Sequence, residues 1–504
     1  MLAQIHSFVL QGIDPIACEV EVDVADRGLA KTTIVGLPDA AVKESIERVR
    51  TAMINSGYPF PGSRMLVNLA PADIRKEGPI FDMPIAVGLL IAQEVIHTRR
   101  HVDLLFAGEL SLDGRLRPVN GAINLAILAR ETGAKGVVVP RENASEAAAV
   151  GDVDVFPADT LADVVCFLNG QHPIEPVPDP DVESALSVSD AQSDFADVRG
   201  QEAAKRAMTV AAAGVHNILM IGPAGTGKTL MAKALPGILP PLSRPEALEV
   251  TRIFSAVGQV PRGEPLITRR PVRSPHHTSS GVAMIGGGTV PRPGEVSLAH
   301  RGILFLDEMP EFPRGVLETL RQPLEDGFVS IARAHSSLRF PARFMLVAAM
   351  NPTPRGDKPS DAVSHRQMER YLGRISGPLL DRIDIHVEVP TVPFGQLTSK
   401  CNGSDSTTMR RRVVCAREIQ EKRNGGTTTP NSVLTTGQLD RLAPLDTAAA
   451  TLIRQAMTEL GLSARAYDKI RRLARTIADL EESEDVAVHH VAEAVQYRLL
   501  DRRI

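Results

Sequence analysis

The chain contains no tryptophan and only 4 tyrosines, which argues against an extended platform for stacking single-stranded bases. Its 4 cysteines, Cys18, Cys166, Cys401 and Cys415, are scattered without CxxC or CxxxH spacing. They read as reduced thiols, neither bridges nor a zinc site. No apolar run reaches the roughly 20 residues that a membrane span needs. The stretch from Met1 to Val20 lacks a basic segment followed by an apolar one, so no signal peptide is expected. A cytoplasmic protein with no membrane partner is the expectation. An excess of one charge is also missing: 56 basic residues face 60 acidic ones, a net charge of −4. Bulk electrostatics therefore does not point to nucleic acid, although a local basic lining could still bind DNA.

What is present is an ordinary globular composition, 43% hydrophobic and 23% charged over 504 residues. That excludes collagen, a wholly disordered chain and a disulfide miniprotein. At about 150 residues per domain the length suggests roughly three domains. Residues 1–170 alternate β-rich runs with amphipathic helices. Strands are expected at Ile5–Val9, Cys18–Val24, Thr32–Val35, Met65–Leu69, Leu104–Glu109 and Gly136–Val139. Helices are expected at Ala40–Ser56, Pro84–Val95 and Ala122–Glu131, the first with Val42, Ile46, Val49 and Met53 at helical spacing. Residues 171–194 are rich in Pro, Asp and Ser and read as a linker. A second domain spans 195–394, a polar linker with a helical patch at Met409–Arg423 spans 395–435, and a helical block closes the chain at 436–504.

Asn217–Ile221 is a continuous apolar run, as in a buried parallel strand. It leads into Gly222, Pro223, Ala224, Gly225, Thr226, Gly227, Lys228 and Thr229, then a helical stretch Leu230–Leu235. This is GxxxxGK[ST] in strand–loop–helix context. Such glycines let backbone N–H groups face phosphate oxygens, Lys228 supplies charge to the β/γ-phosphates and Thr229 a hydroxyl to Mg²⁺. A second apolar run, Gly302–Leu306, ends in Asp307-Glu308, where sheets of this kind bind ligands. Asp307 would hold Mg²⁺ through water and Glu308 would polarise the attacking water. A third, Phe344–Met350, ends in Asn351, whose amide could orient that water. Together these residues describe an ATPase core using ATP and Mg²⁺.

In this order the elements resemble the AAA+ ATPases. Ser274-Pro-His-His-Thr-Ser279, Gly286–Gly288, Gly294–Leu306 and Arg374–Asp384 narrow the resemblance to the Mg-chelatase-like branch. Over nearly its full length the chain is similar to the YifB/ComM-type members of that branch. The resemblance implies an α/β multidomain protein. It would have an N-terminal Lon-protease-like α+β domain of ribosomal S5 domain 2 type, an AAA+ P-loop core and a C-terminal helical lid. It places the Walker A motif at Lys228 and Thr229, Walker B at Asp307 and Glu308, and sensor 1 at Asn351. It also makes Arg382 the arginine finger, with Arg374 as rival, and Arg465 sensor 2. A guanidinium meeting the charge on the γ-phosphoryl oxygens is worth about 10³–10⁵ in rate in other NTPases. A finger acting in trans implies a homo-oligomeric ring, usually a hexamer.

About 75 residues separate Lys228 from the Gly302 strand, unusually long for a connection. Arg262, Arg269, Arg270, Arg273 and the Gly286–Gly288 loop suggest hairpins projecting from the core, which in this branch face a central pore. A basic pore loop would meet a phosphate backbone without reading sequence. His276 and His277 are adjacent, a spacing unsuited to a metal pair on a helix. Two departures accompany the resemblance. The Ser and Lys positions of Lon chemistry fall on Ile80 and Ile123, so no protease is expected. Where relatives often carry four thiolates, this chain has Thr353, Arg355, Asp361 and Val363, so no zinc is expected. The implied function is an ATP-driven DNA motor of the branch-migration or helicase type, working on branched or single-stranded DNA in recombination. The alternative is a remodelling or chaperone ATPase acting on a protein complex. Metal insertion into a tetrapyrrole is disfavoured by the Lon-like domain.

Overall fold

The computed structural model describes residues 2–25, 29–186, 193–261, 263–288, 290–332, 337–353, 371, 373–393 and 403–498. These form two compact units that do not follow chain order. The first comprises Met1–Leu186 with Ser243–Thr268; the second comprises Ser187–Leu242 with Arg269–Ile504.

The first unit is built on a seven-stranded sheet. Its strands are β1 (Leu2–Gln11), β2 (Asp14–Val24), β3 (Lys31–Val35), β4 (Arg64–Ala70), β5 (Leu104–Phe106), β8 (Gly136–Pro140) and β9 (Asp154–Ala158). They lie in the order β3-β4-β2-β1-β5-β8-β9, and a small hairpin pairs β6 (Glu109–Leu110) with β7 (Leu116–Arg117). In β2, Cys18, Val20 and Val22 are buried while Glu19 and Glu21 lie on the wetter face, the period of two that fixes register. Every residue of β8 is buried, as a strand covered on both faces requires. The expected run Leu104–Glu109 breaks after Phe106, because the chain turns there into the hairpin. The helix expected at Pro84–Val95 runs instead over Asp82–Ala92. Strand β9 and the helices Arg141–Ala148 and Leu161–Leu168 were not legible in the sequence.

Helix Arg244–Ala256 joins this unit although it follows the phosphate-loop motif in sequence. Ser255 Oγ reaches the buried carboxylate of Glu146 and accepts from the Gly121 N–H at 3.0 Å. Arg252 donates to Asn124 at 3.2 Å and pairs with Asp14 at 3.3 Å. The Pro-rich stretch after residue 170 also packs here. Val177 N donates to the Val155 carbonyl at 2.9 Å, and Val182 and Leu186 of a short helix are buried.

The second unit contains a five-stranded parallel sheet of β10 (Ile218–Ile221), β11 (Val272–Arg273), β14 (Ile303–Leu306), β17 (Met345–Met350) and β18 (Ile385–Glu388). The order β11-β14-β17-β10-β18 puts β10 between two strands formed later in the chain. Hairpins β12 (Gly286–Gly287) with β13 (Arg292–Pro293) and β15 (Phe328–Ala332) with β16 (Ser337–Pro341) extend from it in sequence. Strands β14 and β17 are buried throughout. The C-terminal part is helical: Ser406–Arg423, Thr436–Leu442, Thr447–Leu460, Ala464–Leu480 and Val488–Gln496. In Ala464–Leu480, the buried Ile470, Leu473, Ala474, Ile477 and Ala478 recur at helical spacing and face the core. Among the described residues no helix is long and apolar enough to cross a membrane.

Candidate active site

The carboxyl ends of β10, β14 and β17 bring three loops together, at a point where the strand order reverses. Leaving β10, the chain enters residues 222–229. A Cβ on Gly222 would lie 2.1 Å from the Val389 carbonyl oxygen, so only glycine fits. Gly225 and Gly227 have φ of +76° and +91°, and nothing lies within 4 Å of where their Cβ atoms would be. The loop is therefore both backbone-strained for other residues and open on that side. Lys228 is buried, and its Nζ donates to the carbonyls of Gly222 at 2.6 Å and Pro223 at 2.7 Å. It also reaches Asn351 Oδ1 at 3.2 Å. Burial pulls the Lys228 pKa down, while the charges of Asp307 and Glu308 oppose that shift.

Thr229 Oγ1 donates to Asp307 Oδ2 at 2.9 Å, so a hydroxyl and a carboxylate share one point at the end of β14. The other Asp307 oxygen accepts from the Glu308 N–H at 3.0 Å. Glu308 has φ 51°, ψ 46°, a left-handed conformation unusual for a non-glycine residue, of the kind that clusters at functional sites. It leaves the Glu308 carboxylate about half exposed, 3.8 Å from Nδ1 of His277. His277 in turn packs edge-on to Phe312. Sequence reasoning missed His277 as a neighbour of this site, since the long stretch of chain between it and Glu308 hides the contact and only the fold closes it. Gln201, at the end of the segment Phe195–Gln201 that resembles the entry to the AAA+ module, donates from its side-chain amide to the Pro390 carbonyl at 2.5 Å beside the loop.

The arginines lie elsewhere. Arg374 donates to Glu311 Oε2 at 2.9 Å and to the Pro310 carbonyl at 3.2 Å, just beyond the Asp307-Glu308 turn. Arg382 donates to the Pro378 carbonyl at 2.6 Å and to Glu325, whose carboxylate also lies 3.9 Å from Arg465. Among the described residues neither Arg382 nor Arg465 bonds to residues 222–229.

The side chains fit a nucleotide triphosphate with its metal. A buried ammonium, an open glycine loop and a hydroxyl–carboxylate pair are the donors that phosphate and Mg²⁺ require. When bound, Mg²⁺ would draw electron density from the phosphate oxygens; Thr229 and Asp307 would hold it.

The expected basic insert needs correction. Arg270 is spent inside the fold, donating to the carbonyls of Pro240 at 2.7 Å, Arg301 at 2.7 Å and Pro241 at 3.2 Å. Arg273 forms a two-pronged ion pair with Glu295 at 2.6 and 2.8 Å. Both are loop staples because nearby carbonyls and a carboxylate would otherwise be left unmet. Gly286–Gly287 do form a hairpin, with exposed Arg292 opposite; a Cβ on Gly286 would strike the Arg292 carbonyl at 2.3 Å. Arg262 lies outside the described residues, as do Arg355, Asp361 and Val363. Among the described residues one group of metal-ligating type occurs, Glu481, His489 and His490. His490 Nδ1 accepts the Ala487 N–H at 2.9 Å, which leaves its Nε2 to carry the proton toward Glu481 at 3.2 Å. Ile80 packs against the core of the first unit and Ile123 is buried.

Three family models match the chain: Magnesium chelatase, subunit ChlI, over residues 194–397; Subunit ChlI of Mg-chelatase over 20–143; and Magnesium chelatase, subunit ChlI C-terminal, over 403–498. Competence protein ComM of Haemophilus influenzae is 44% identical over 99% of this chain and 98% of its own length. A protein called YifB from Salmonella typhimurium is 43% identical with the same coverage. The magnesium-chelatase 38 kDa subunit of Cereibacter sphaeroides is 27% identical over 39% of this chain and 58% of its own. With a phosphate-loop core, a helical C-terminal region and full-length similarity of this order, the chain belongs to the ComM/YifB family of Mg-chelatase-like AAA+ ATPases.

Proposed function

We propose that this protein is a ring-forming motor that couples ATP hydrolysis to DNA remodelling, of the branch-migration type, in the cytoplasm. The observation that carries the hydrolytic part is the convergence of Lys228, Thr229, Asp307, Glu308 and Asn351 at the ends of three adjacent parallel strands. Lys228 compensates phosphate charge, and Thr229 with Asp307 positions Mg²⁺. Glu308, left exposed by its left-handed backbone, orients and polarises the attacking water; Asn351 fixes Lys228 and that water. Arg382 is the finger and Arg465 the second sensor. The finger acts on a neighbouring subunit's nucleotide, which is why the working form is a homo-oligomer, a hexamer by family habit.

DNA as the substrate is supported by the competence-related name of the Haemophilus relative and by the Gly286–Pro293 hairpin. That hairpin carries exposed Arg292 and follows exposed Val282, a small basic and apolar surface suited to a backbone rather than to bases. The test is strand exchange on a four-way DNA junction with ATP, beside Glu308→Gln. ATP-dependent resolution into products, absent in the variant, is expected. No exchange on any branched substrate, with ATPase intact, would favour the second reading, a remodelling ATPase acting on a protein complex. The similarity to a chelatase subunit favours that alternative.

A further inference from the structure

Arg382 and Arg465, far apart in sequence, meet one carboxylate. Glu325, on helix Arg321–Asp326, accepts from Arg382 and lies 3.9 Å from Arg465. The backbone beneath both is fixed by buried groups. Asp384, two residues past Arg382, pairs at 3.0 Å with Lys469, one helical turn past Arg465. Asn217 donates to the Arg382 carbonyl at 3.0 Å. The segments that carry the two guanidiniums are therefore tied to each other beside Glu325.

They are held differently. The Arg465 side chain is 64% exposed and its ion pair is at the long edge of contact. The Arg382 side chain is only 13% exposed. One of its terminal nitrogens is tied to Pro378 and the other to Glu325, and its Nε is buried with no hydrogen-bond partner among the described residues. A guanidinium with an unmet donor is a poor resting arrangement, and the carboxylate contact is what offsets it. A phosphoryl group presents charge of the same sign, and more of it, with a similar fork of oxygens, so it competes directly for that guanidinium.

We propose that Glu325 is a positioning residue for hydrolysis, holding Arg382 folded back in the free subunit and exchanging it for the γ-phosphate of a neighbouring subunit. This rests on the reading of Arg382 as finger. Glu325 is itself about half exposed, so the ion pair is screened and can yield. Arg465, already presented to solvent, lies 3.9 Å from the same carboxylate.

The test is kcat and KM for ATP in the full-length protein at one fixed concentration, for wild type, Glu325→Gln, Glu325→Asp and Arg382→Ala. Glu325→Gln should raise kcat about two- to fivefold, the factor an exposed ion pair is worth, with KM unchanged. A gain of this kind is not produced by loss of structure. Glu325→Asp, one methylene shorter with its charge kept, should give a smaller rise, and it carries the test if the Gln variant melts early. An unchanged or lowered kcat in a folded variant overturns the proposal. Arg382→Ala should abolish hydrolysis while retaining nucleotide binding. Wild-type turnover there would instead remove the finger reading, and Glu325's role with it.

Discussion

Replacing Asp384 by alanine tests whether the helical region is locked to the sheet by a buried ion pair. Asp384 accepts from Lys469 Nζ at 3.0 Å and from the Asn217 N–H at 3.1 Å, and lies 3.5 Å from His216 Nδ1. Burial alone would raise its pKa, but Lys469 and His216 outweigh that and hold the carboxyl well below the ordinary range. A depressed carboxyl contributes stability above its unfolded pKa of about 3.9, so the contribution is complete at pH 7. Alanine leaves Lys469 charged and nearly enclosed, its remaining hydrogen bond among the described residues the one to the Ile383 carbonyl at 3.3 Å. Breaking one side of such a pair costs about 3–5 kcal/mol. The remaining carbonyl contact places the expectation near the lower end, about 3 kcal/mol. Lys469→Met leaves Asp384 with its Asn217 and His216 partners and should cost less. The double variant leaves neither charge and should recover about 2 kcal/mol of the summed losses. The assay is urea unfolding followed by circular dichroism, because the chain has no tryptophan to report. Strict additivity within about 0.5 kcal/mol would refute the coupling.

Other expectations follow from buried titrating groups. Burial, with Arg498 and Lys469 nearby, pushes the His386 pKa well below that of a free imidazole. The unfolded chain then binds a proton first as pH falls. Stability of the second unit should decline from pH 7 to 5 with a slope of up to about 1.4 kcal/mol per pH unit, and His386→Leu should flatten it. Glu146 is displaced the other way, its carboxyl raised by burial despite bonds from Ser255 and the Ile123 N–H. A raised acid favours the folded state at low pH, and that stability is lost as pH rises through the folded pKa. Glu146→Gln should therefore raise the melting temperature of the first unit at pH 7, with the gain gone by about pH 4. Lys228→Ala should abolish binding of a fluorescent ATP analogue without lowering the melting temperature, since its lost partners are carbonyls and an amide at an open loop.

Much of the site was legible because it depends on local pattern. The runs ending at Ile221, Leu306 and Met350 are continuous and apolar, and each became a buried parallel strand whose exit carries the chemistry. The helix Ala40–Asn55 follows from Val42, Ile46, Val49 and Met53 on one face, capped by Asp39. What was not legible depends on partners distant in sequence. Nothing local says that Arg270 and Arg273 will be absorbed by carbonyls and Glu295 rather than offered to a ligand. Helix Arg244–Ala256 looks like any amphipathic insert, and contacts such as Ser255 and Arg252 meeting Glu146 and Asn124 show which unit it completes. His277 beside Glu308 is the same kind of fact. Eight-residue helices such as Arg141–Ala148 show too few turns for periodicity to emerge.

In the proposed function, residues 222–229 with Asp307 and Glu308 hydrolyse ATP in response to DNA. Steady-state ATPase of the purified chain, with single-stranded, duplex and branched DNA and with none, tests it most directly beside Glu308→Gln. Hydrolysis should be stimulated most by branched DNA and reduced at least about a hundredfold in the variant, as loss of a positioned general base usually brings. Hydrolysis that is indifferent to every DNA, or that survives Glu308→Gln, would contradict it.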